Sequence, residues 1–345
     1  MRGVAAAACG GRGQPASWCN TRNKEALNLS VATRPTPHPT VTLYWQHISP
    51  APIHVYFAQE EHLQAHHRSL LAAAGDWNYK NNGADWTGDC KGRAQSPIGI
   101  TTSKLSKSMP EAGRAKLKFG TAKGLKVINT GTAIQIEWDS LEGTAASVPV
   151  AGDAWGAIFE EEGTKTGDIK QVPVKPLQMH WHSTCEHIVD GEVCALELHI
   201  VTAVDNTTDV KVPQTCNEKL CLAVFGIKQE LKKDAYEAGD KFVQTVIDNL
   251  PKSVGKDAAT SLKDSSLDLD SLLPSDKEYA TYYGSLTAPP CSEGVQWHVF
   301  LESNEILSAA QLDAFQAAFA GATGGRTTNR QIMPVNGRTI LKSEN

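Results

Sequence analysis

From Asp76 onward the chain reads as short runs of alternating apolar and polar positions broken by turn residues, a period of two that predicts strands rather than helices. The clearest run is Lys126 to Trp138. Ile134, Ile136 and Trp138 alternate with Gln135 and Glu137, and Asn129, Thr130 and Gly131 interrupt it as a break or bulge. Gln178 to His182 and Glu197 to Val201 alternate in the same way, with a turn expected at Asp190 and Gly191, so the two segments are candidates for neighbouring strands. Helical periodicity is confined to two places. Lys233 to Leu250 carries Phe242, Val246 and Leu250 four apart, and Ser308 to Phe319 is expected to start at Ser308 and close at Gly321. The body is therefore expected to be a single, mainly β domain with short peripheral helices.

The first seventy-five residues follow neither pattern. Pro35, Pro37, Pro39, Pro50 and Pro52 exclude continuous helix, and only Glu60 to Ala74, with Leu63, His67, Leu70 and Leu71 on one face, reads as a short helix. Charge separates the two parts further. The chain of 345 residues has a net charge of -5, but its first 59 residues hold five Arg or Lys and one Glu, hence +4, which leaves -9 for the rest. Residues 1–75 are expected to be a largely disordered leader, targeting or linker segment, and residues 76–342 the folded domain. The leader is basic and nearly free of acids, closer to an organellar transit peptide than to a secretory signal, because Gly10, Gly11 and Gly13 cut short any apolar stretch after Ala8. An acidic body without a basic stripe argues against nucleic acid as a partner. No apolar run approaches the 18 or so residues of a transmembrane helix, and the sequence leaves oligomeric state open.

Chemistry concentrates in one place. Six of the eleven histidines precede residue 76, and four of the other five fall between positions 180 and 199. His180 and His182, two apart in a predicted strand, share a face, and His199 on the neighbouring segment can complete a triangle. Three neutral imidazoles converging on a point are a standard catalytic zinc set that leaves a fourth position open. Gln178 and Glu197 each sit two residues before a histidine, on its face, where an oxygen can accept the second ring N–H and fix the tautomer.

These segments carry a family resemblance. Gln178-Met-His-Trp-His-Ser183, Glu186-His187, Glu197-Leu-His199, Leu222-Ala-Val-Phe-Gly226 and Tyr283-Gly-Ser-Leu-Thr-Ala-Pro-Pro-Cys291 resemble successive signatures of the α-class carbonic anhydrases. Trp77-Asn-Tyr79, Gln95-Ser-Pro-Ile98 and Asn336-Gly-Arg338 match in the same order, so the resemblance covers about residues 76 to 342. It implies a large, mostly antiparallel twisted sheet with Zn2+ at the base of a conical cleft, and reversible hydration of CO2 to bicarbonate and a proton by attack of zinc-bound hydroxide. It implies His180, His182 and His199 as ligands and Thr287 with Glu186 as the pair that orients the nucleophile. The same resemblance makes Val201, Val224, Leu286 and Trp297 the apolar CO2 pocket, with Gln135, Thr132 and Ala288 elsewhere in the cleft. His187 and His298 are expected to be structural.

Two positions depart from the family pattern. Thr132 stands where the fastest members carry a histidine that ferries protons to buffer, which predicts a lower maximal rate, because threonine does not titrate near neutrality. Ala288 replaces a common threonine. Eight cysteines include six in the body: Cys90, Cys185, Cys194, Cys216, Cys221 and Cys291. The resemblance implies a Cys90–Cys291 disulfide that anchors the Thr287 loop; the other four are open between disulfides and buried thiols. With the Asn206-Thr-Thr208 glycosylation sequon, the cysteines favour an extracytoplasmic setting, secreted or in an organelle lumen. Two other functions fit the same residues less well: a non-catalytic relative using the cleft as a binding surface, and a zinc esterase.

Overall fold

The computed structural model describes residues 77–343 apart from 110, 152–154, 156–168, 206–220, 235, 237 and 324. The expected leader, the Glu60 to Ala74 helix, Cys216 and the Asn206 sequon lie outside the described residues. Fourteen strands are described: β1 (Gly99–Ile100), β2 (Ser106–Ser108), β3 (Thr121–Asn129), β4 (Ile134–Glu137), β5 (Ser140–Glu142), β6 (Ser147–Ala151), β7 (Ile169–His182), β8 (Ile188–Val189), β9 (Leu196–Val204), β10 (Leu222–Leu231), β11 (Thr260–Asp268), β12 (Tyr279–Ser285), β13 (Glu293–Leu307) and β14 (Leu341–Lys342). Twelve form one sheet in the order β11-β3-β4-β7-β9-β10-β13-β12-β14-β2, with β5 on β3 and β6 on β7; β1 and β8 pair apart. Most neighbours are antiparallel. The parallel exceptions are β10 on β13, β14 on β2 and β1 on β8.

The alternation read from the sequence is the side-chain alternation of the pleat. Along β7, Met179 and Trp181 point into the main hydrophobic core, while His180 and His182 point to the opposite face. Trp181 packs on Phe315, with ring centroids 5.4 Å apart, and on Phe242 at 6.3 Å. Both partners belong to the helices α1 (Lys241–Asp248) and α2 (Ala309–Thr323), so the helices cover the sheet face opposite the histidines. Strand β9 is buried at every position, as expected of a strand in the middle of a covered sheet. A second cluster, including Ile98, Val201, Val224, Tyr282 and Trp297, lies on the histidine face.

The interruption at Asn129 to Gly131 is the turn of a β3–β4 hairpin, with Gly131 at φ 87°. Asp190 and Gly191 form the expected turn, both at positive φ. The helix boundaries differ from the sequence reading. The first helix begins at Lys241, because the Asp240 carboxylate accepts from Val243 N–H as an N-cap and Asp240 N–H is bound to Ile306 C=O on β13. The second begins after Ser308, whose hydroxyl and backbone N–H exchange hydrogen bonds with Gln311, and it runs through Gly321 to Thr323. Glycine inside a helix costs only about 1 kcal/mol, too little to end it by itself.

Candidate active site

Strand register builds the site in rows. On the face away from the helices, Gln135 of β4 pairs with His180 of β7, His180 with His199 of β9, and His199 with Gly226 of β10. The next row runs Gln178, Val201, Val224, Trp297 across β7, β9, β10 and β13. One row is polar and ends in a residue without a side chain; the other turns apolar after Gln178. A cavity of about 360 Å³ opens over both. It is lined by Gln135, Gln178, His180, His182, His199, Val201, Val224, Leu286, Thr287, Ala288, Trp297 and Thr132, so the expected ligands, pocket wall and cleft residues are brought together. Glu186 and Glu197 lie beneath it, fully buried. Trp77, Tyr79, Thr130, Ala133 and Pro289 complete the lining, and the sequence reading assigned none of them a part in the cleft.

The three imidazoles face one another, with ring centroids 5.0, 5.1 and 4.8 Å apart, and their nearest ring nitrogens lie within 4.8 Å of one another. Each ring has its other nitrogen engaged. His180 Nδ1 donates to Gln178 Oε1 at 2.9 Å, His182 Nδ1 to the Thr328 carbonyl at 2.7 Å, and His199 Nε2 to Glu197 Oε1 at 2.9 Å. The nitrogens that face one another, one from each of His180, His182 and His199, are those a metal would take. His182 Nε2 is buried without a hydrogen-bond partner, which is how a nitrogen reserved for a cation looks. Burial holds His182 down to about 4 and lowers His199 as well, keeping both rings neutral as ligands must be. The donor set therefore fits zinc. His187, Glu197 and His199 also cluster, but His187 uses both nitrogens, on Glu197 Oε1 and the Tyr282 hydroxyl, each at 2.7 Å. That group is a hydrogen-bond network, and His187 is structural as expected.

Glu197 does more than fix His199. Its Oε2 accepts the backbone N–H of Glu186 and of His187, both at 2.8 Å, so one carboxylate holds the His199 ring and the loop that carries Glu186. Burial pushes its carboxyl up, but His187 and His199 outweigh this and hold it well below the usual carboxylate range. Burial lifts Glu186 to about 7, against the pull of His199, the Thr287 hydroxyl and the Arg330 N–H. Glu186 Oε1 accepts that N–H at 3.0 Å, and Oε2 lies 3.5 Å from His182 Nε2. Thr328 and Arg330 escaped the sequence reading because they act here through backbone groups, which leave no mark in residue type.

Disulfides brace this loop system. Cys90 is bonded to Cys291, four residues past Thr287, and Cys185 to Cys194 across the loop holding Glu186 and His187. Cys221 is disulfide-bonded too.

The eukaryotic-type carbonic anhydrase family model matches residues 76–344. A carbonic anhydrase of Dunaliella salina is 32% identical over 289 residues, covering 76% of this chain and 44% of that protein, so the chain spans less than half of that relative. Human mitochondrial carbonic anhydrase 5A is 30% identical over 266 residues, 73% of this chain and 77% of its own length. Among solved structures, the halotolerant carbonic anhydrase of Dunaliella salina shares the fold with a TM-score of 0.60 at 24% identity, covering 79% of this chain and all of the other. The ordered motifs, the sheet that places them and these matches agree: the chain belongs to the eukaryotic-type, or α-class, carbonic anhydrase family.

Proposed function

We propose that this protein is a zinc-dependent carbonic anhydrase that interconverts CO2 and bicarbonate plus a proton. The observation that carries the reading is the triangle of His180, His182 and His199, each ring fixed through its other nitrogen so that three lone pairs converge. These residues would hold the metal. Bound there, zinc supplies a Lewis acid that brings water's pKa near 7 and makes a nucleophile available at neutral pH.

The other residues orient and select. A Thr287 hydroxyl that donates to Glu186 has its proton turned from the cavity and can only accept from a donor standing there, so a lone pair of that donor is left free for the substrate. Glu186 has the means to enforce this, since its Oε1 is already committed to Arg330 N–H. CO2 has no net dipole and gains from contact with apolar surface; Val201, Val224, Leu286 and Trp297 supply that wall on one side of the cavity. The proton must then leave a cleft whose rim at Thr132 carries no titratable group, so export falls to buffer, water or another side chain. Disulfides at Cys90–Cys291 and Cys185–Cys194 support an oxidising, extracytoplasmic location.

Zinc content and CO2 hydration measured together on the intact chain and on His182→Ala test the assignment. One zinc per chain with hydration, both lost in the variant, is expected. Stoichiometric zinc without hydration refutes the enzyme and leaves a binding protein.

A further inference from the structure

The segment from Thr328 to Arg330 touches both halves of the site. Thr328 C=O fixes the His182 ring, Thr328 Oγ1 accepts Ser183 N–H at 3.0 Å, and Thr328 N–H is bound to Ser183 C=O. Two residues on, Arg330 N–H holds Glu186. What holds the segment is the Arg330 side chain. It is 1% exposed, and a guanidinium so deep in the protein destabilises the fold unless it finds acceptors. It finds them in one direction only: Nη1 donates to Gln95 Oε1 at 2.9 Å and Ser96 C=O at 2.8 Å, and Nη2 to Cys90 C=O at 2.7 Å. The planar group also lies over the Trp86 ring, 5.5 Å from its centroid.

All three acceptors belong to the Cys90 to Ser96 stretch, which is tied to the Thr287 loop through the Cys90–Cys291 bond and through Gln95 Nε2 donating to Cys291 C=O at 3.1 Å. One guanidinium thus joins the segment that holds Glu186 and His182 to the segment that holds Thr287. We infer that Arg330 is a positioning residue: its side chain sets the Glu186 carboxyl and the His182 ring in register with Thr287. This rests on the zinc carbonic anhydrase reading above. Lysine cannot replace it fully, because an ammonium lacks the rigid fork that reaches Gln95, Ser96 and Cys90 at once.

The zinc-loaded full chain, its Arg330→Met variant and its Arg330→Lys variant are compared in kcat and KM for CO2, in the rate of zinc release to a chelator, and in melting temperature. In Arg330→Met, kcat is expected to fall by about tenfold with KM within about twofold, since the apolar wall is untouched, and zinc is expected to leave on the order of tenfold faster, the scale seen when a ligand's support is lost. Arg330→Lys should lie between, and it decides on the same readouts if Arg330→Met does not fold. A role in stability alone would lower the melting temperature while leaving kcat per bound zinc and the zinc release rate unchanged; that result overturns the inference. If the unaltered protein binds zinc but does not hydrate CO2, the functional reading fails instead, and zinc release still tests Arg330.

Discussion

At the scale of single residues, side chains that lie close together carry separate tasks in the proposed reaction. Thr287 and Glu186 are proposed to orient the nucleophile, so Thr287→Ala and Glu186→Gln should each lower kcat by roughly 10²-fold while zinc stays bound, the usual scale for losing a positioned hydrogen-bonding group in catalysis. Steady-state hydration with metal analysis on the same samples checks this; loss of zinc in step with activity would contradict it. Thr132 has the opposite sense. Hydration by the natural chain should climb with buffer concentration, and Thr132→His should raise the rate in dilute buffer by roughly tenfold, because an imidazole titrates near the working pH. A near-maximal, buffer-independent rate in the natural chain would sink this. His180, His182 and His199 were legible from the sequence because chemistry and periodicity coincide: His180 and His182 are two apart on one strand face, and His199 lies on the alternating segment next to it. Thr328 was not, since any residue has the carbonyl by which it holds His182.

At the scale of elements, β-structure was more legible than helix. The alternation around Ile134, His180 and Glu197 survives folding because a covered sheet obliges successive side chains to opposite faces. The start of α1 was not legible, because it depends on where the Asp240 backbone meets β13, a contact from a distant part of the chain. The alternation also could not show that β10 and β13 run parallel, which aligns Val224 with Trp297 and completes the apolar wall. Close packing between strands makes a further prediction. A Cβ on Gly226 would come within 2.8 Å of Glu197 Oε1, the atom that accepts from His199 and His187. Gly226→Ala should therefore displace that carboxylate and weaken zinc binding by about 10- to 100-fold, although the residue touches no ligand ring. Competition with a zinc chelator measures it; unchanged affinity would show that the carboxylate yields without cost.

At the scale of the whole molecule, a buried histidine outside the cavity lining makes stability depend on pH. His298 is fully buried between Phe225, stacked on it with centroids 4.8 Å apart, and Tyr279, and neither ring nitrogen has a hydrogen-bond partner. Burial holds it down to about 3, against 6.5 ordinarily. Between those values the unfolded chain takes up a proton that the native state refuses, so native stability falls as pH drops from 6.5 towards 3, by up to about 1.4 kcal/mol per pH unit from this group. Urea unfolding at pH 7 and pH 4.5 should show a smaller loss in His298→Phe than in the natural chain; equal losses would remove His298 from the explanation.

The Cys90–Cys291 bond, closing a separation of 201 residues, should contribute at most about 4 to 5 kcal/mol by restricting the unfolded chain. Its partners were named by resemblance, whereas Cys185–Cys194 emerged only once the loop around Glu186 was seen folded. The central claim is that three fixed imidazoles hold a zinc ion on which CO2 hydration depends. Removing metal from the purified chain, titrating zinc back and following CO2 hydration by stopped flow tests it directly. The stripped protein should have no activity, and activity should return linearly and stop at one zinc per chain. Full activity without zinc, or none at saturation, would contradict it.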